Sequence, residues 1–303
     1  MTISEQTVRF FGKEVQDFEP GTTPSRDAGI VHRLSLEYDA ETSMTTLLTD
    51  FLASCDKASL EALVIGAWGD PASDGPGEFL EVLVANAPQL PAFKALFVGD
   101  MTYEECEISW INQGDYAPLL AAFPRLQALR IRGATGLSLP AIAHTGLREL
   151  VIECGGLPSD ITAALARSAL PFLETLELWI GTDNYGFDGD LAAIIDVVDQ
   201  LRTPTLKTLA LRDAEIADEI AEWLAGESWV AQLSTLDLSL GTLGDVGARA
   251  LLASPHVRGL GRLDLSHHYI SQQLQDELAK AIPNVVLADP QDDDEDRYVA
   301  VGE

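Results

Sequence analysis

Leu206-Lys-Thr-Leu209-Ala-Leu211, Leu233-Ser-Thr-Leu236-Asp-Leu238 and Leu260-Gly-Arg-Leu263-Asp-Leu265 are three copies of one phrase, set at a fixed interval of 27 residues. The phrase is leucine, two variable residues, leucine, one variable residue, leucine. Its last three residues alternate inward, outward, inward, which is the period of a strand with one buried face. Five earlier copies are Leu60-Glu-Ala-Leu63-Val-Ile65, Phe93-Lys-Ala-Leu96-Phe-Val98, Leu126-Gln-Ala-Leu129-Arg-Ile131, Leu147-Arg-Glu-Leu150-Val-Ile152 and Leu173-Glu-Thr-Leu176-Glu-Leu178. Recurrence at this period marks a solenoid, in which each unit buries its apolar face against its neighbours.

Helical patterns lie between the phrases. Glu215–Leu224 carries Ile216, Ile220, Trp223 and Leu224 on one stripe, and Asp245–Leu252 follows Leu243. Pro158-Ser-Asp160 before Ile161, and Ser271 before Gln272–Leu278, are helix start signals. Strand, turn, helix and return make each unit a βα hairpin, so successive strands must run parallel.

These residues resemble the leucine-rich-repeat proteins, over roughly residues 60–288. The later units are most similar to the ribonuclease-inhibitor type, through Leu236-Asp-Leu238, Leu243, Asp245, Gly247-Ala248 and Leu251-Leu252. The resemblance implies an α/β horseshoe with a parallel sheet on the concave face and helices on the convex face. One departure stands out. Ala214, Gly241 and His268 occupy places where the family usually has Asn or Cys bonded to the turn backbone. A narrower resemblance, to bacterial leucine-rich-repeat proteins of the actinobacterial type, rests on Gly99–Ile111, Val64–Gly69 and Arg297–Val301. It carries no assigned activity.

The ends differ from the array. Residues 1–58 hold a possible strand at Val31–Leu36 and a helix around Ser43–Cys55, and read as an N-terminal cap. Residues 59–288 form the array of about eight repeats, closed by a possible edge strand at Asn284–Leu287. Residues 289–303 are an acidic C-terminal tail. Within it Arg297-Tyr-Val-Ala-Val301 alternates like a strand on a tether long enough to fold back, which leaves docking on the repeats as a self-covering strand an open alternative.

Among the 303 residues, 48 are acidic and 19 basic, a formal charge of −29. Such a surface repels phosphate backbones and anionic lipid, so neither nucleic acid nor membrane is an expected partner. A steered partner should be a protein with a basic surface. Cys55, Cys106 and Cys154 make no disulfide framework or zinc spacing. With no leader-like start and no span of transmembrane length, the expectation is a cytoplasmic protein.

The outward residues of the phrases form one register row: Val64, Phe97, Arg130, Val151, Glu177, Ala210, Asp237 and Asp264. The next row is Gly66, Gly99, Arg132, Glu153, Trp179, Arg212, Ser239 and Ser266. Phe97 and Trp179 are large to leave in water, so a partner contacts them or a cap, insert or tail of the same chain covers them. Three loops exceed a tight turn, at 66–77, 99–116 and 181–190, and all must emerge on one rim. The middle loop holds Asp100, Tyr103, Glu104, Glu105, Glu107, Trp110, Asp115 and Tyr116 without a Lys or Arg. Acid with aromatic suits a basic partner through ion pairs and cation–π contacts, unless Trp110 and Ile111 merely pin the loop.

Partner binding is therefore expected at Trp68, Phe97, Asp100, Tyr103, Glu104, Glu105, Trp110 and Trp179. The alternative is a hydrolytic or metal-dependent enzyme built on Asp237, Asp264, His267 and His268. The two aspartates lie at equal register, ~5 Å apart on neighbouring strands. No nucleophile, oxyanion donor or enclosed pocket accompanies them, and Arg212 and Arg262 are ready partners. Neither a calcium-loop spacing nor a Gly-rich phosphate loop is present, so no cofactor or metal is expected.

Overall fold

In a computed structural model, which describes residues 3–292 and 296–302, the described strands form one open sheet of twelve in strict chain order. The strands are β1 (Arg9–Phe10), β2 (Lys13–Asp17), β3 (Ile30–Leu36), β4 (Ala62–Trp68), β5 (Ala95–Val98) and β6 (Ala128–Arg132). They continue with β7 (Glu149–Glu153), β8 (Thr175–Gly181), β9 (Thr208–Ala214), β10 (Thr235–Asp237), β11 (Arg262–Asp264) and β12 (Val285–Val286). Only β1 and β2 pair antiparallel; from β2 to β12 every neighbour runs parallel.

The eight phrases supply β4 to β11, and their registers superpose without a slip. The middle leucines Leu63, Leu96, Leu129, Leu150, Leu176, Leu209, Leu236 and Leu263 are each 0% exposed. They make one continuous buried row, because a parallel ladder stacks equal positions of successive units and a one-residue slip would turn the row to solvent.

The opposite layer consists of α1 (Met44–Ser54), α2 (Gly77–Asn86), α3 (Ala117–Ala122), α4 (Ser159–Leu165), α5 (Leu191–Leu201), α6 (Ala217–Gly226), α7 (Asp245–Ala253) and α8 (Gln272–Ala281). α1 starts at Ser43, whose Oγ accepts from Thr46 N at 3.2 Å, and α5 at Asp190, whose Oδ1 accepts from Ala193 N at 3.0 Å. Both caps satisfy an amide that a helix start leaves without a partner.

Two expectations change. The N-terminal segment is not only an end cover: β3 and α1 add a further strand-and-helix unit, with β3 paired to β4. And the βα hairpin is not universal. Residues 133–148, between β6 and β7, contain no helix; isolated bridges such as Ala143–Ala169 replace it. The interval from Leu126 to Leu147 is the shortest in the array and includes Pro140, so a helix has no room.

Candidate functional site

The outward row has the register read from the phrase. Val64, Phe97, Arg130, Val151, Glu177, Ala210, Asp237 and Asp264 are Cα partners strand by strand. The row is nevertheless not open to water at its N-terminal end. Phe10 of β1 crosses over the sheet and sets its ring 6.0 Å from that of Phe97, which is 0% exposed. Val31, Ala62, Val64, Ala95 and Ala128 complete this small second core. The guanidiniums of Arg130 and Arg132 lie 4.6 and 5.3 Å from the Phe97 ring centre. Phe97 thus anchors the chain's own N-terminal segment and offers no surface to a partner.

A ladder of charges adjoins that core. Asp100 is 0% exposed, accepts from Thr7 N at 3.0 Å and pairs with Arg33 Nη1 at 3.0 Å. Arg33 also holds Asp17, and Arg132 reaches from Asp100 to Glu153, with Nε 2.6 Å from Glu153 Oε2. Arg130 completes the chain by pairing with Glu153. Burial by itself raises the Glu153 pKa, but the two guanidiniums outweigh it and bring it to about 2. Asp100, expected as a rim ligand, is instead a buried link between Arg33, Arg132 and the N-terminal segment.

The C-terminal half of the row is paired in the same way. Arg212 bridges Glu177 at 2.9 Å and Asp237 at 3.6 Å. Asp237 also accepts from Ser239 N, and Asp264 accepts from the amide and hydroxyl of Ser266 and pairs with Arg262. His267 Nδ1 faces Asp289 at 3.2 Å, whereas His268 is buried and accepts from Ile270 N through Nδ1. Burial lowers the His268 pKa, which keeps it a neutral turn-bonding residue in the place usually held by Asn. The four residues of the enzymatic alternative are therefore each bonded to residues outside the group of four. Among the described residues, no three His, Cys, Asp or Glu side chains converge as a metal would need.

The rim loop, residues 99–116, leaves β5 at Gly99, whose φ of +98° and close approach to Arg132 O exclude a Cβ. Met101, Ile108, Ile111 and Tyr116 point inward and fix the loop; Tyr116 donates to Gln113 Oε1 at 2.6 Å. Asn112 donates to the carbonyls of Pro71 and Ala72, joining this loop to the 66–77 loop on the same rim. Trp110 is 62% and Tyr103 41% exposed. Ile111 pins the loop; Trp110 does not. Glu105 accepts from Gln6 Nε2 and Thr102 N, and Glu104 accepts from Tyr103 Oη at 3.4 Å. Burial together with Asp70 and Glu107 pushes the Cys106 thiol up to about 11, away from reactivity.

Trp68 and Trp179 are both buried. Trp68 donates to Asp74 O at 2.8 Å and packs on Phe79, which folds the 66–77 loop onto α2. Trp179 donates to Glu177 and packs with Ile108, Ala300 and Val301. The tail does fold back, although as extended chain and not as a strand of the sheet. Of the eight expected contact residues, Tyr103, Glu104, Glu105 and Trp110 share the exposed loop, and the other four stabilise the fold. Sequence reading missed Asp213 and Leu240, which receive the tail: Asp213 Oδ1 accepts from Val301 N at 2.9 Å and Leu240 O from Ala300 N at 2.7 Å. No phrase position flags them.

The family profile described as leucine-rich repeat matches residues 233–252, the β10–α7 unit that opens with Leu233-Ser-Thr-Leu236-Asp-Leu238. A crystal structure of a Bacteroides fragilis protein superposes with a TM-score of 0.82 at 32% identity, covering 89% of this chain and 77% of that one. The chain belongs to the leucine-rich-repeat proteins. An internalin from Listeria monocytogenes, at 15% identity, covers 87% of this chain and 54% of its own with a TM-score of 0.34, and adds nothing to that assignment. A search of curated proteins gives no match. No helix among the described residues is long and apolar enough to cross a membrane.

Proposed function

We propose that this leucine-rich-repeat chain is a non-enzymatic interaction scaffold that presents the 99–116 loop to a protein with a basic surface. The observation that carries this reading is Trp110. It stands 62% exposed on a loop otherwise nailed down by four buried side chains, beside exposed Tyr103, Glu104 and Glu107. A rigid loop loses little conformational freedom on binding, and a Trp held in water by such a loop is suited to anchor an interface. The acids supply steering toward Lys and Arg, and the net charge of −29 turns away nucleic acid and anionic lipid. In the same reading the protein works in the cytoplasm, takes no cofactor, and has repeats nearest the ribonuclease-inhibitor type within an actinobacterial kind of leucine-rich-repeat protein. The concave face contributes little, since the N-terminal segment and the charge ladder occupy it.

The test is capture from native lysate with wild type, Trp110→Ala and Tyr103→Ala as baits. Loss of one basic protein from both variants, with melting temperatures unchanged, supports the reading. An unchanged set of captured proteins, or unfolding of the variants, sinks it.

A further inference from the structure

We infer that the groove at the ends of β8–β11 is a recognition site for an extended peptide of a partner protein, and that residues 297–302 fill it as an intramolecular stand-in. The inference deepens the interaction-scaffold reading and rests on it.

The segment is gripped mainly through its backbone. Tyr298 exchanges both backbone bonds with Tyr269 Oη, at 2.8 and 2.9 Å. Ala300 N donates to Leu240 O, Val301 N donates to Asp213 Oδ1, and Ser109 Oγ from the rim loop donates to Gly302 O at 3.2 Å. Ala300 and Val301 are buried against Ile108 and Trp179, whereas Tyr298 is exposed. Backbone capture with pockets for selected side chains is how a protein reads an extended peptide. The pockets set the class: a small residue, then an aliphatic one, then glycine, because a Cβ at Gly302 would come within 3.0 Å of the Tyr185 ring. An Arg ahead of the aromatic would reach Asp218, as Arg297 Nη1 does at 3.3 Å.

The receiving side is specialised in a way the repeat does not require. At one register of three successive turns, Asp213, Leu240 and His267 hold φ of 54°, 70° and 59°. A left-handed turn there is met by glycine in an earlier unit, at Gly133 with φ +95°. The later units keep larger residues in that strained conformation, and each of the three bonds the tail: Asp213 to Val301, Leu240 to Ala300, and His267 Nε2 to Tyr298 O at 3.3 Å. Such strain persists where surrounding contacts over-determine it, as at ligand clamps. Just before the segment the chain runs beside the last repeat, where Asp289 faces His267 and Gln291 N donates to His268 O at 2.8 Å. A tethered segment sits at high effective concentration at its groove, so a competitor displaces it only by binding well.

The experiment uses a fluorescein-labelled octapeptide of residues 296–303 and fluorescence anisotropy. Full chain, chain lacking 297–303, and full-length Val301→Asp are compared, with circular dichroism confirming that each is folded. Saturable binding to the truncated chain and to Val301→Asp, at least tenfold tighter than to the full chain, is expected. A random octapeptide library panned on the truncated chain should enrich small–aliphatic–glycine. Folded proteins that bind no peptide, panning without enrichment, or exchange of tails between two full-length copies as a concentration-dependent dimer would each overturn the inference. Trp110→Ala in the truncated background should bind the peptide normally, so a failure of the rim reading and a failure of this one are separable.

Discussion

Both end segments pack against the repeats, one over the outward face of β4–β6 and one at the ends of β8–β11, yet they are attached by different physics. At the N-terminal end, β1 and β2 join the sheet, Phe10 closes on Phe97, and Asp100 ties Thr7 to Arg33 and Arg132. At the C-terminal end, residues 297–302 join no strand and are held by a handful of bonds to Asp213, Leu240, Tyr269 and Ser109. The first is part of the fold; the second is a ligand that happens to be covalently linked. The buried carboxylates show the same split. Glu153 sits between two guanidiniums and is held near a pKa of about 2. Asp213 is raised well above its usual range by burial, against which Val301 N–H and Arg212 are too weak.

Phe97→Ala gives the largest effect. It empties the second core and removes the face on which both Arg130 and Arg132 rest, and should cost about 3–5 kcal/mol in urea denaturation. A cost below 1 kcal/mol would mean that the N-terminal segment does not depend on this anchor.

Glu153→Gln breaks the ladder while preserving shape, and leaves two guanidiniums short of a counter-charge. Removing one partner of such a buried cluster should cost about 3 kcal/mol at pH 7. The sign with pH follows from the depressed pKa: wild type holds this contribution above the unfolded value of 4.5 and loses it as pH falls toward about 2. Denaturation curves measured between pH 6 and 2.5 should converge for wild type and variant. Parallel curves would show that Glu153 is not the titrating group.

At Asp213 the sign reverses. A carboxyl whose folded pKa is raised keeps its proton longer in the folded state, so its contribution is full below the unfolded pKa and is lost as pH rises through the folded one. Asn retains an oxygen to accept from Val301 N and tolerates the left-handed φ of 54°. Asp213→Asn should therefore keep the tail docked and flatten the decline of stability from pH 4 to 8. A decline as steep as that of wild type would place the titration elsewhere.

What was legible in the sequence follows from this contrast. The row from Val64 to Asp264 could be read because one phrase repeats, and periodic burial is a local signal. So could the helix α1 within Ser43–Cys55 and the last strand at Val285–Val286. Cover of Phe97 by the chain itself stood as one of two alternatives, but the covering residue could not be read, because Phe10 lies far from it in sequence and belongs to no repeat. Asp100 looked like one acid among several in a loop; its burial depends on Arg33 and Arg132, brought in by different strands. The missing helix between β6 and β7 was signalled by a short interval and Pro140, both visible in advance. Loop residues divide by where their neighbours come from, and a single sequence does not show that.

Trp110→Ala is the smallest expected change in stability and the most informative about the rim. The side chain is mostly in water, and the loop is held by Met101, Ile108, Ile111 and Tyr116 with or without it. A surface substitution away from caps, cores and ion pairs stays within about 0.5 kcal/mol. Urea denaturation should therefore superpose on wild type, in contrast with Phe97→Ala on the strand that leads into the same loop. If Trp110→Ala instead destabilised by more than 1 kcal/mol, the indole would be supporting the loop. The distinction between aromatic residues that hold the chain's own ends and aromatic residues left for a partner would then fail at its clearest member.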